Sequence, residues 1–179
     1  MRMLVGLTKE KRTRQKRIVA CAADVLWLGM IFSQSLRTAE ESSQHSGRLT
    51  QLLQWLLHTD RPVLELEHLV RKLAHFAEFF VLGVLIALTL AVFGLLLRKS
   101  SAAVHRHGFA YAGLAGVLPA LCDETLQLTS AGRAALVGDI WLDWAGYLCG
   151  LVFCLFCAKT VVKSVKKRYD SKHRKSDPA

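Results

Sequence analysis

The stretch GFAYAGLAGVLPALCDETLQL, residues 108–128, decides how this chain folds. Residues 108–122 are apolar, whereas the end of the stretch carries three polar side chains, Asp123, Glu124 and Gln127. A helix needs about 20 residues to cross the hydrocarbon core of a bilayer, so the apolar part alone is too short. It can span only if the helix continues into the polar part. We therefore expect these three side chains to be helical and close to one membrane interface.

The composition outside this stretch favours a membrane protein. Of the 179 residues, 52% are hydrophobic and the mean hydropathy is positive, which is high for a soluble domain. The net charge of +10 comes mainly from the two ends of the chain, since seven of the 24 Lys and Arg precede Ile18 and eight follow Ala158. Basic residues that flank apolar segments indicate membrane topology. We expect contact with a lipid bilayer and no binding to nucleic acid.

Four apolar segments predict an all-α, polytopic bundle of four transmembrane helices. The segments are residues 18–33, 69–97, 108–122 and 140–162. If the N-terminus is inside, 18 Lys and Arg lie on the inner side and 6 on the outer side, as the positive-inside rule expects. Both termini are then cytoplasmic, and the polar ends of all four helices gather at the outer face.

The outer connection between the first two segments predicts one further, short amphipathic helix. Leucines recur there at the i, i+3, i+4, i+7, i+8 spacing of a helix face, with Trp55 beside them. Pro62 should end this helix before the second span. The leucines are Leu49, Leu52, Leu53, Leu56 and Leu57.

Helical phase places polar side chains on shared faces. Glu65, His68, Arg71, Lys72, His75 and Glu78 fall within about 140° of one another at the start of the second span. In the fourth span, Asp139 and Asp143 share a stripe with Gly146 and Gly150, a GxxxG pattern that lets another helix approach closely.

These faces define a candidate outer-face polar site. Its charged members carry two positive and five negative formal charges, an excess that requires protonation, water or a bound cation. We expect Asp143 to be protonated or paired with Lys72 or Arg133. The nine residues of the candidate site are Lys72, His75, Glu78, Asp123, Glu124, Gln127, Arg133, Asp139 and Asp143.

Three stretches carry a resemblance to the VanZ-like family: IFSQS, RKLAHFAEFFVLG and CDETLQLTSAGRAALVGDIWLDWAGYLCG. The family pattern runs roughly K-x-x-H-F-x-E-[YF], then D-E-x-x-Q-x(5)-R-x(5)-D-x(3)-N-x-x-G. Asp143 stands where that pattern usually has Asn, so one negative charge is added and one donor is lost. The matching residues are Lys72, His75, Phe76, Glu78, Asp123, Glu124, Gln127, Arg133, Asp139 and Gly146.

The resemblance implies a multi-pass protein of the bacterial inner (plasma) membrane and cell envelope, associated with resistance to the glycopeptide teicoplanin. Residues 1–17 would be a basic cytoplasmic segment, 18–162 the VanZ-like transmembrane domain, and 163–179 a basic, disordered cytoplasmic tail. A cell-envelope lipid or glycopeptide-related ligand is the expected partner. Two other functions stay open, namely an intramembrane enzyme acting on a lipid-linked envelope substrate and a small proton or cation transporter whose relay would run through Asp24.

The candidate site also has a structural alternative, an ion-pair network that orients four short helices. His75 and Glu78 lie one turn apart beside acids, but only one histidine is in phase, so we assign no metal ligand and expect no cofactor. Ser33 lies at the right depth for a nucleophile, although a serine at a helix end is more often a cap. The CLFC stretch, residues 154–157, is apolar in context and typical of core packing.

Overall fold

The computed structural model of the chain describes residues 2–57, 63–95, 102–134 and 136–173. Every regular element in these ranges is a helix, so the prediction of an all-α protein is confirmed. The predicted helix stop at Pro62 and the last residues of the tail, 174–179, lie outside the described residues. The helices are α1 (Arg2–Ser35), α2 (Ala39–Leu57), α3 (Val63–Val92), α4 (Ala102–Ala115), α5 (Val117–Gln127) and α6 (Val137–His173).

Three of the described helices are long and apolar enough to cross a membrane: α1 over Glu10–Ser35, α3 over Glu65–Val92 and α6 over Val137–Thr160. Large apolar side chains such as Leu26 and Phe156 are exposed on them, as contact with lipid requires. The third apolar segment of the sequence instead forms two shorter helices, α4 and α5, which meet at Gly116.

Glycines bring α3 and α6 together in a parallel pair. A Cβ atom built at Gly146 would clash with the carbonyl oxygen of Phe76, and one built at Gly150 would clash with that of Phe80. Gly83 of α3 meets the backbone of Tyr147 in the same way. The GxxxG pattern therefore lets the two backbones touch, and α3 is the helix that approaches it.

The other helices pack around this pair. Asp24 of α1 accepts a hydrogen bond from Thr89 of α3 at 2.8 Å, and Gln34 donates to Glu78 at 2.8 Å, so α1 runs antiparallel to α3. The Tyr147 hydroxyl donates to the carbonyl of Ala112 at 2.8 Å, which ties α6 to α4. The largest fully buried apolar side chains form the centre of the bundle: Ile31, Phe79, Leu82, Tyr147 and Leu151.

The predicted outer helix is present as α2, but it starts earlier than the leucine repeat. Thr38 and Glu41 form a capping box, in which the Glu41 N–H donates to the Thr38 hydroxyl at 3.3 Å and the Thr38 N–H donates to the Glu41 carboxylate at 3.1 Å. Leu52 and Trp55 are exposed while Thr50 is buried. The side chains of Leu49, Leu53, Leu56 and Leu57 lie outside the described residues, so the amphipathic face stays a prediction.

The long terminal helices extend past the membrane-length segments. α1 begins at Arg2, inside the basic N-terminal segment, and α6 continues to His173, inside the segment predicted to be a disordered tail. The sequence has neither Gly nor Pro between Gly150 and Pro178, so no helix breaker opposes this continuation.

Candidate functional site

The end of α1 supplies two polar side chains that face the bundle. Asp24, Ile31 and Ser35 lie on one stripe of α1 at helical spacing, and the stripe packs inward. Ser35 is fully buried, and its hydroxyl donates to Oδ1 of Asp123. Gln34 donates to the Glu78 carboxylate. The last turn of α1 therefore holds two carboxylates that come from other helices.

The middle of α3 contributes His75 and Glu78, one helical turn apart. Nδ1 of His75 lies 3.7 Å from Oδ2 of Asp123, which is too long for a hydrogen bond. The Glu78 backbone carbonyl accepts a hydrogen bond from the indole N–H of Trp27 at 2.9 Å. This backbone contact fixes the height of Glu78 against α1.

The end of α5 buries the two acids of the DE pair. Asp123 is 0% exposed, and besides Ser35 it accepts a hydrogen bond from Gln127 at 2.9 Å, one turn further along α5. Glu124 points to the following loop, where its carboxylate accepts a hydrogen bond from the Leu136 N–H at 3.0 Å. Asp123 is thus held from two sides, and Glu124 shapes the connection to α6.

The start of α6 adds Asp139 and Asp143, which have different surroundings. Asp139 pairs with Lys72 at 3.1 Å near the surface. Asp143, one turn deeper, is 0% exposed, and neither of its oxygens has a hydrogen-bond partner within the part of the chain that the structure describes. Of the three alternatives expected for Asp143, pairing with Lys72 and pairing with Arg133 are not observed, because Lys72 reaches Asp139 and neither Asp143 oxygen has a partner among the described residues.

The turn between α5 and α6 positions Arg133. The Arg133 N–H donates to the Ser130 carbonyl at 3.3 Å, and Gly132 has a φ of +76° at the third position of this turn, as a type II turn requires. Ser130 is buried and donates to the Ser35 carbonyl at 3.0 Å, which ties the turn to α1. Burial and the nearby positive charge of Arg71 lower the pKa of the Arg133 guanidinium.

These elements enclose a cavity of about 310 Å³. Three permanent cations line it, Arg71, Lys72 and Arg133, together with His75 and Asp139. The Nε and Nη1 atoms of Arg133 are buried without a hydrogen-bond partner among the described residues. The cavity thus has a largely cationic lining, and the buried Asp123 lies behind its lining residue Gln127, from which it accepts a hydrogen bond.

Five of the nine residues of the candidate site line this cavity: Lys72, His75, Gln127, Arg133 and Asp139. The other four are next to lining residues: Asp123 bonds to Gln127, Glu124 to the backbone of Leu136, Asp143 lies near His75, and Glu78 interacts electrostatically with Arg133.

Sequence reasoning missed Ser35 as a partner of Asp123. It placed His68 and Arg71 on the polar face of α3 but did not include them in the candidate site, although both line the cavity. The inward stripe of α1 could have identified Ser35. Ser33 lies elsewhere, because its hydroxyl is exposed and donates to the Met30 carbonyl at 2.7 Å.

Comparison with known proteins supports the resemblance in these residues. Residues 21–158 match the family model described as VanZ/LLP1. Neither a curated protein nor a solved structure matches this chain. The matched range includes every residue of the candidate site. Of the described helices that are long enough to cross a membrane, it contains the whole of α3 and parts of α1 and α6.

Proposed function

This chain belongs to the VanZ/LLP1 family, and from that premise we propose that it is an integral membrane protein of the bacterial cell envelope that binds an anionic, phosphate-bearing lipid headgroup in its outward-facing cavity. The observation that carries the proposal is the set of three cations, Arg71, Lys72 and Arg133, around a cavity of about 310 Å³. Guanidinium groups match phosphate oxygens in geometry as well as in charge.

The proposal includes a fourth span made of α4 and α5. Together they cover residues 102–127, which is enough to cross a bilayer although neither helix suffices alone. Gly116 between them keeps helical φ and ψ of −70° and −18°, so the chain continues in the same direction. With four spans in the plasma membrane, both basic termini are cytoplasmic and the cavity opens outward, within reach of envelope lipids.

Arg133 is the cation best suited to the incoming headgroup. Lys72 is paired with Asp139, and Arg71 is paired with Glu67 and has one buried nitrogen, Nε, without a hydrogen-bond partner among the described residues. Arg133 has two such nitrogens, Nε and Nη1. A buried donor without a partner is costly, and a phosphate oxygen would supply that partner.

Headgroup binding is tested with purified protein in detergent and three probes of one chain length: a prenyl phosphate, a prenyl pyrophosphate and the uncharged prenyl alcohol. In native mass spectra, the protein should retain both phosphorylated lipids and should not retain the alcohol. Arg133→Gln should weaken retention by about tenfold or more, because one charge-assisted contact is lost. Arg37→Gln is the matched control on an exposed arginine. Equal retention of the alcohol would contradict headgroup recognition.

The link to glycopeptides is tested in cells. We expect expression of the wild-type chain to raise the minimal inhibitory concentration of teicoplanin, and Arg133→Gln to abolish that rise at equal protein abundance. If Arg133→Gln at equal abundance protects as well as the wild type, the cavity has no part in resistance. If the wild type gives no protection, the envelope ligand is unrelated to glycopeptide action.

One observation favours an enzyme as a second candidate function. The half-buried His75 lines the cavity, where a bound headgroup would come to rest, and it lies beside the buried Asp123 and Asp143. Catalysis would change the lipid extract of cells that express the wild type, but not that of cells expressing His75→Gln. Identical extracts would remove this candidate and leave headgroup binding intact.

The arrangement of Asp24 speaks against the transporter alternative. Asp24 bonds to Thr89, and on the same two helices fully buried apolar side chains, Ile31, Phe79 and Leu82, come between it and Glu78. A proton relay needs polar groups or water in sequence, and this layer interrupts it.

A further inference from the structure

We propose that His75, Asp123 and Asp143 form a binding site for a divalent transition-metal ion. One ligand atom of each residue lies within 4.8 Å of the others. One imidazole nitrogen with two carboxylate oxygens is a ligand set used for Zn²⁺ and for related first-row ions, with a further position left open. His75 lines the cavity and the two acids are buried behind it. The proposed site does not depend on which headgroup enters the cavity.

The distance between His75 and Asp123 fits two ligands of one metal ion better than it fits a direct hydrogen bond. Nδ1 of His75 and Oδ2 of Asp123 are 3.7 Å apart, beyond hydrogen-bond reach. Two ligands on one Zn²⁺ at about 2.0–2.2 Å lie about 3.3–3.6 Å apart in tetrahedral geometry. The separation is therefore close to that of two atoms that share a metal.

Asp143 gives the independent observation that points to a ligand. It is 0% exposed, and both of its carboxylate oxygens are buried without a hydrogen-bond partner among the described residues. Nδ1 of His75 is also buried without a hydrogen-bond partner among the described residues. Burying a carboxylate with no partner is expensive, and a cation between these groups would satisfy all three atoms at once.

Asp123 is held as a metal ligand is normally held. Ser35 donates to one of its oxygens and Gln127 to the other at 2.9 Å. Such outer contacts fix the orientation of a coordinating carboxylate. Gln127 and His75 also line the cavity, so an ion could enter from that side.

The charges around the cluster favour a cation. Lys72 is paired with Asp139 and Arg71 with Glu67. Arg133 is then the nearby cation that interacts with Asp123, and it also interacts with Glu124 and Glu78. A divalent ion would offset the remaining negative charge of Asp123 and Asp143.

The test uses the full chain in detergent, purified without a histidine tag, stripped with EDTA and titrated with Zn²⁺ against a metallochromic chelator. We expect one tight site per chain. Asp143→Asn and His75→Gln should each weaken it by about 100-fold or more, since each removes a ligand. Asp139→Asn removes a carboxylate at the cavity rim outside the cluster, and it should change affinity by less than about threefold.

Two further measurements distinguish the proposed site from Zn²⁺ binding by cysteines and from misfolding of a variant. Cys154→Ser with Cys157→Ser removes the CLFC thiols, which could bind Zn²⁺ by themselves, and the site should persist in that variant. The X-ray absorption spectrum of the wild-type complex should show nitrogen and oxygen ligands only, which is independent of whether any variant folds. No tight site in the wild type, sulfur ligation, or equal affinity of a folded Asp143→Asn variant would each overturn the proposal.

Discussion

The Nζ atom of Lys72 lies 3.1 Å from Oδ1 of Asp139, and this ion pair joins the start of α3 to the start of α6 at the rim of the cavity. The two side chains are 51% and 27% exposed, so water screens their attraction and exposed pairs of this kind contribute about 0–1 kcal/mol. The firm contacts between α3 and α6 lie deeper, where glycines let the backbones touch.

Lys72→Met should therefore have little effect on folding. We expect the free energy of unfolding to fall by less than about 1 kcal/mol, which corresponds to about 2–4 °C in Tm for a chain of this length. Thermal unfolding in detergent measures it, with Lys72→Arg as the variant that keeps the charge. A loss several times larger would mean that the rim pair, rather than the glycine contact, holds the two helices together.

Gly146→Ala should be far more damaging, because its new Cβ would meet the carbonyl oxygen of Phe76. Overpacking of this kind costs about 1–3 kcal/mol or more, and rigid backbone cannot move aside as a side chain can. We expect a lower Tm and reduced abundance in the membrane. Gly29→Ala is the matched control in another span, since nothing lies within 4 Å of its added Cβ. Equal stability of the two variants would contradict the close helix contact.

Ser35 and Ser33 offer a comparison between two serines in one helical turn. Ser35→Ala removes a buried donor from the Asp123 carboxylate, and loss of such a partner costs about 1–3 kcal/mol. Ser33→Ala removes only an exposed bond to the Met30 carbonyl and should be nearly neutral. Thermal unfolding of both variants decides between them. Equal losses, or a larger loss for Ser33→Ala, would show that the inward stripe of α1 is assigned incorrectly.

The sequence alone predicts that the polar ends of the helices converge. Each apolar segment carries its polar residues at one end, and alternating direction through a membrane brings those ends to the same face. Helical phase then places His75 and Glu78 on one side of α3, and Asp139 and Asp143 on one side of α6. These relationships depend on periodicity alone, which single sequences display well.

The sequence alone could not predict which charged side chains pair with each other. Lys72 could have met Asp139 or Asp143, and the choice depends on the rotation and height of α3 against α6, which the glycine contacts determine. The division of the third segment at Gly116 has a local cause that the sequence does show, because Pro119 cannot donate to the carbonyl of Ala115, where α4 ends. The packing of the Tyr147 ring against Gly116, in contrast, is a tertiary contact. Nothing in the run of apolar residues indicates where a ring from another helix will lie.

The number of spans gives the last prediction. Three spans would put the two termini on opposite sides of the membrane, whereas α4 and α5 together as a fourth span put both in the cytoplasm. In a bacterial host, a fluorescent protein fused after Ala179 should fluoresce and alkaline phosphatase at the same place should be inactive. Fusions after Leu95, in the connection between α3 and α4, should behave in the same way, and fusions after Arg133 should show the reverse. An active phosphatase after Ala179 would mean that α4 and α5 do not cross, and the cavity would then no longer be bounded by four spans.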